Sequence, residues 1–87
     1  MPIVFIPAAM KELTAGAAEI RVGGSTVREA VAELEAAYPG IRDWLFEDNR
    51  LKPNIAVAVD GVVSPIGLLQ HVDENSEVHF VAAISGG

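Results

Sequence analysis

The spacing of apolar and polar positions changes several times along this chain, and each change marks an element. In TVREAVAELEAAY (26–38), Val27, Ala30, Val31, Leu34, Ala37 and Tyr38 recur at i, i+3, i+4, i+7, i+10 and i+11, which is one face of an α-helix. Thr26 and Glu29 form a T-x-x-E capping box, each side chain satisfying an orphan backbone donor. Pro39-Gly40 stops the helix. Arg28, Glu29, Glu33 and Glu35 lie on the opposite face and read as solvated surface.

Elsewhere the period falls to two. Residues 3–6 are a short β-branched and aromatic run ended by Pro7. Residues 17–22 set Ile20 and Val22 against Glu19 and Arg21, and Gly23-Gly24 then turns the chain. Ile55, Val57 and Val59 alternate with Asn54, Ala56 and Ala58 and lead into the hairpin dipeptide Asp60-Gly61. Val62-Val63 begins the return and Pro65 ends it. In EVHFVAAI (77–84), Val78, Phe80, Ala82 and Ile84 share one face, and Glu77, His79, Val81 and Ala83 the other. AAMKELTAG reads as a helical turn or loop, IRDWLF as one or two helical turns, EDNRLKP as a polar loop and IGLLQHV as one turn before the corner DENSE.

A hairpin, one helix and then further strands exclude a doubly wound parallel sheet, because only one crossover helix exists. The order predicts an α+β, β-grasp (ubiquitin-like) fold: a mixed sheet with one main helix packed across one face. At 87 residues the chain is one domain. We expect the β-grasp domain over 1–84 and a flexible Ser-Gly-Gly tail over 85–87.

Twelve acidic against six basic residues give a net charge of −6, which repels phosphate backbones and favours a basic protein surface as partner. The absence of cysteine excludes disulfides, thiolate metal sites and a cysteine nucleophile. No charged leader and no membrane-length apolar run is apparent, so a cytoplasmic protein, monomeric when free, is expected.

Side-chain chemistry is sparse. His71 and His79 stand near Asp73, Glu74 and Glu77 without a recognised metal-ligand spacing, so no metal is expected and His79 is placed on the solvent face. GGST (23–26) opens the helix but lacks the lysine of a phosphate-binding loop, leaving it a turn and cap. The serines have no nucleophile-elbow context. No catalytic residue of its own is predicted. What remains is Gly86-Gly87, a slim arm with a carboxylate, able to thread a narrow channel in another protein.

IPAAMKELTAG (6–16), STVREAVAELEAAYPGI (25–41), NIAVAVDG (54–61) and NSEVHFVAAISGG (75–87) together resemble the MoaD/ThiS family of ubiquitin-like sulfur carriers. That family includes the molybdopterin synthase small subunit, the thiamin carrier and the carrier of a thiocarboxylate-dependent cysteine pathway. The resemblance implies that Gly87 is adenylated by a ubiquitin-activating-type adenylyltransferase/sulfurtransferase using ATP, then thiocarboxylated. Gly86 and Ser85 would thread the partner's active site, and a downstream synthase would accept the sulfur. No cofactor is bound in this scheme. Many molybdopterin synthase small subunits carry a Pro-Pro stretch where this chain has Ala82-Ala83-Ile84-Ser85, which leaves the acceptor pathway open. Two alternatives stand beside the carrier: a modifier joined through Gly87 to lysines, and a non-catalytic β-grasp binding module. Val81 and Ala83, on the open sheet face beside the tail, are candidates for partner docking. Phe5 joins them if Val4 and Ile6 point inward.

Overall fold

The computed structural model describes residues 1–82, and of Ala82 the backbone only. Strand β1 (Ile3–Phe5) is followed by a 3-10 helix (Ala8–Thr14), β2 (Glu19–Arg21), α1 (Val27–Ala37) and α2 (Ile41–Leu45). Then come β3 (Phe46–Glu47), β4 (Arg50–Leu51), β5 (Ile55–Val59), β6 (Val62–Val63), a 3-10 turn (Gly67–Leu69) and β7 (Glu77–Ala82).

Five strands form one sheet in the order β2-β1-β7-β5-β6. β1 is antiparallel to β2 and parallel to β7, and β5 is antiparallel to both β7 and β6. The mixed β-grasp sheet expected from the element order is therefore present. The parallel β1–β7 pair requires a crossover. α1 lies within it and buries one face of the sheet.

The inward strand residues are those of the two-residue period: Val4, Ile6, Val22, Val57, Val78 and Phe80 are buried. Against them α1 sets Val27, Ala30, Val31 and Leu34, and α2 adds Ile41 and Leu45. The sequence reading extended the helix face too far. Ala37 is exposed, whereas Tyr38, the C-cap of α1, is half-buried and packs against the margin of the core.

The cap departs from the expected box in one bond. Thr26 Oγ1 accepts from Glu29 N–H at 3.2 Å as predicted, but Glu29 Oε1 reaches past Thr26 to Ser25 N–H at 2.8 Å. Val27 N–H donates to Gln70 O, which ties the helix start to the chain segment before β7. Ser25, Val27 and Glu29 amides thus all have partners within the chain, which leaves GGST a turn and cap. Gly24 has φ +127°, and a Cβ there would lie 2.8 Å from Ala30 N. Only glycine permits that approach.

Two further readings are corrected. EDNRLKP is a miniature hairpin: Phe46 pairs with Leu51 and Glu47 with Arg50 across Asp48-Asn49, both left-handed at φ 53° and 64°. Asp and Asn tolerate that conformation better than other non-glycine residues, so a polar dipeptide suffices for the turn. Glu35 is also more than solvated surface. Its carboxylate accepts from Gly40 N–H and, at 2.9 Å, from Arg42 N–H, capping α2 from a neighbouring helix. The Arg42 amide, foremost among these donors, holds the Glu35 carboxyl below the usual glutamate range.

Asp60-Gly61 forms the expected two-residue turn, with φ 52° and 85°. Asp60 Oδ1 accepts from Glu77 N–H at 2.9 Å while Asp60 N–H donates to Glu77 O. The hairpin tip is thereby tied to the start of β7. Among the described residues no helix is long and apolar enough to cross a membrane.

Candidate docking face and tail mount

β7 occupies the middle of the sheet, hydrogen-bonded on one side to β1 and on the other to β5. β1 pairs with its first half, Glu77–His79, and β5 with Val78–Ala82, so the strand is held by β5 as far as Ala82. Its inner side chains, Val78 and Phe80, are in the core. Its outer ones face away from α1.

Register assembles an open-face row from residues distant in sequence. Phe5 lies opposite His79, His79 opposite Ala58, and Ala58 opposite Val63, with Glu19 opposite Phe5 at the β2 end. One step towards the tail, Val81 lies opposite Ala56. Val4 and Ile6 are the inward pair, so Phe5 is on the open face, as its conditional assignment required. Its ring stacks on the His79 imidazole, with centroids 4.1 Å apart and planes 9° from parallel.

Val81 is 48% exposed and Val63 60%. The β5 residues beside His79 and Val81 are alanines, too short to cover them, and Ala58 is itself buried beneath its neighbours. Polar groups border the row: His79 Nε2 is 3.8 Å from Glu77 Oε1, and Glu19 terminates it on β2. A partly apolar strip with a charged margin is the general anatomy of a protein interface. Ala83, Ser85, Gly86 and Gly87, together with Ile84 and the expected 84/85 boundary, lie outside the described residues.

Two members of this face escaped the sequence reading. His79 was placed on the solvent face but without a neighbour, and Val63 was read only as part of a return strand. Alternation indicates a face, whereas the pairing that joins Phe5, His79, Ala58 and Val63 depends on register between strands far apart in the chain. The signal available was the adjacency of Val62-Val63 to the Asp60-Gly61 turn, which places Val63 opposite Ala58 for a two-residue loop.

On the other side of the sheet, near the end of β7, an apolar hollow of about 220 Å³ opens between the first 3-10 helix, α2 and β5. Met10, Trp44, Leu45, Ile55 and Phe80 form its walls and Lys52 its polar border. Among the described residues no group of three or more His, Asp or Glu side chains is placed to hold a metal ion.

Comparison with known proteins agrees with this geometry. The ThiS family model matches residues 4–87. Small archaeal modifier protein 3 of Haloferax volcanii is 32% identical over 65 residues, 72% of this chain and 71% of that protein. Among solved structures, a chain of the Amycolatopsis orientalis BexX/CysO complex superposes with a TM-score of 0.91 at 26% identity, covering both chains completely. Mycobacterium tuberculosis CysO superposes with a TM-score of 0.89 at 22% identity, covering 97% of this chain and all of that one, a likeness of fold.

Proposed function

Since this chain belongs to the ThiS family of ubiquitin-like proteins, we propose that it is a cytoplasmic sulfur carrier whose reactive atom is the carboxyl carbon of Gly87. A ubiquitin-activating-type partner adenylates that carboxylate with ATP. Attack by a sulfur nucleophile then forms the C–S bond and expels AMP, leaving a thiocarboxylate. A downstream synthase takes the sulfur for a biosynthetic product. In this reading the chain is a protein substrate and sulfur donor, and the catalytic groups belong to its partners.

The observation that carries the reading is the central place in the sheet of β7, the strand from which the chain continues towards Gly87, with an apolar strip on its open face. A rigid handle fixes where the arm begins. Phe5, His79 and Val81 supply a surface by which a partner orients the handle, and Gly86-Gly87 give the arm a cross-section without side chains. That the relative in the BexX/CysO structure was solved in a complex supports a protein that works against partners.

The test is intact-mass analysis after incubation with ATP, a sulfide source and the ubiquitin-activating-type enzyme of the same genome. Exchange of one oxygen for one sulfur on the peptide containing Gly87 is expected, and deletion of Gly87 removes it. A second reading is favoured by one finding, the likeness to a protein named as a modifier. Its mark is Gly-Gly remnants on lysines of other proteins, without the sulfur-bearing mass. If neither product forms, both readings fail, and a binding module remains.

A further inference from the structure

All but one of the arginines of this acidic chain gather around a single short hairpin, β3–β4. Arg28, exposed on the first turn of α1, donates from Nη2 to Asn49 O at 3.4 Å. Arg42, on α2, donates to Asn49 Oδ1 at 3.3 Å and sets its guanidinium over the Phe46 ring, 5.0 Å from the centroid. Arg50 belongs to the hairpin itself. Among the described residues no carboxylate is within ion-pair distance of any of the three; the pairing present is that of His79 with Glu77. Glu29, beside Arg28 in sequence, is committed to Ser25 N–H. Arg28 also stands where the positive end of the helix dipole disfavours a cation, so neither an ion pair nor the helix accounts for its place.

Between α1, β4 and the turn Gly67–Leu69 lies a cleft of about 330 Å³. Arg28 and Arg50 are its cations, and Leu51, Ile66 and Leu69 its apolar lining. The hairpin meets the turn where Leu51 Cδ1 approaches Gly67, 3.6 Å from the place a Cβ would take. Leu68 is buried in the core, which fixes the turn, yet Ile66 and Leu69 on either side of the turn's centre are 54% and 67% exposed. Folding gains little from two aliphatic side chains left in water, whereas arginine beside contiguous apolar surface is a composition enriched at protein interfaces. Because α1 and the buried Leu68 contribute to it, the cleft belongs to the α1 side of the sheet, and it shares no residue with the open-face row of Phe5, His79 and Val81.

We propose that this cleft docks a short acidic-aliphatic segment of a partner protein, with Asp or Glu side chains on Arg28 and Arg50 and a Leu, Ile or Val side chain against Ile66 and Leu69. Charge complementarity selects the occupant. A guanidinium donates a bidentate pair of hydrogen bonds to a carboxylate, and among the described residues neither arginine has one to receive them. The net charge of −6 repels a polyanion that extends past the cleft, and a phosphate backbone makes no use of exposed Ile66 and Leu69. A peptide with few carboxylates and an aliphatic side chain between them satisfies both halves of the cleft. The site uses no residue beyond Leu69, and it stands or falls independently of the sulfur-carrier reading.

The test is a titration of the isotope-labelled full chain, followed by NMR through its backbone amides, with three octapeptides blocked at both ends: alternating Asp and Leu, alternating Asp and Ser, and alternating Lys and Leu. The Asp-Leu peptide alone is expected to give saturable shifts at Arg28, Arg50, Leu51 and Leu69, a map that depends on no variant folding. Raising the ionic strength from about 0.1 M to about 1 M should weaken that binding several-fold. Arg28→Gln and Arg50→Gln should each lower affinity on the order of fivefold or more, and Arg21→Gln, on β2, should leave it unchanged. Equal shifts at these amides from the Asp-Ser or the Lys-Leu peptide would overturn the proposal, as would shifts confined to the open face or to the hollow beside Trp44. So would the same shifts on concentrating the protein alone, which marks a second copy, tighter binding of a single-stranded oligonucleotide, or no saturable shift up to millimolar peptide.

Discussion

The two sides of β7 differ more than any two elements of this protein. Val78 and Phe80 point into the core, where Leu34, Val31 and Val57 surround them, and they are 0% and 8% exposed. His79 and Val81, one residue away in each case, lie on the open face, where among the described residues the Phe5 ring, Glu77 and two alanines are their neighbours. Alternate residues of a single strand therefore serve different ends: the inner set holds the domain together, and the outer set is available to another protein. The chemistry proposed for Gly87 depends on both, since the arm is useful only if its base is fixed and its partner can find the base.

The sharpest way to break this division is from the inside. Leu34→Ala, at a fully buried site on α1, should destabilise the domain by about 2–5 kcal/mol, read as a shift in the urea midpoint. A loss well under 1 kcal/mol would mean that the core is looser than the burial implies.

A smaller effect is expected at Glu35, which joins the two helices outside the sheet. Its carboxyl titrates below the usual range in the folded protein, so its contribution is present above the unfolded value of about 4.3 and is lost as pH falls through the lower folded value. Glu35→Gln should therefore be less stable than the parent at neutral pH, by less than Leu34→Ala, with the gap closing under acid. Urea midpoints across that range check this, and a gap that does not change with pH would assign the difference to something other than the carboxylate.

The smallest change in stability is expected on the open face. Val81→Asp should alter folding by no more than about 1 kcal/mol, the span of strand propensity, because the residue is half-exposed. Its loading with sulfur should nevertheless fall. Paired measurement of the urea midpoint and the thiocarboxylate yield separates the two sides of β7: normal loading removes Val81 from the interface, and unfolding comparable to Leu34→Ala removes the distinction itself.

Much of the architecture could be read before any coordinates. Amphipathic spacing identified α1 and its cap, and alternation identified the inward residues of β5 and β7. The Asp60-Gly61 pair identified the hairpin because few residues adopt left-handed φ at both positions. The Asp48-Asn49 turn, also left-handed at both positions, was missed because it has no glycine and the strands it joins are two residues each, too short to show alternation. Ala37 was placed on the inward face because periodicity shows a residue's side of the helix and not whether anything packs against it there.

By itself, then, the sequence determined which face each residue takes and, through the resemblance it carries, that attention belongs on Gly87. Only the tertiary structure decided who meets whom. Glu19, Phe5, His79, Ala58 and Val63 form one row, Glu35 caps a helix other than its own, and Arg28 and Arg50 line one cleft. The physical reason is that side-chain period is a local property of φ and ψ, whereas register and crossover are settled by packing between segments tens of residues apart.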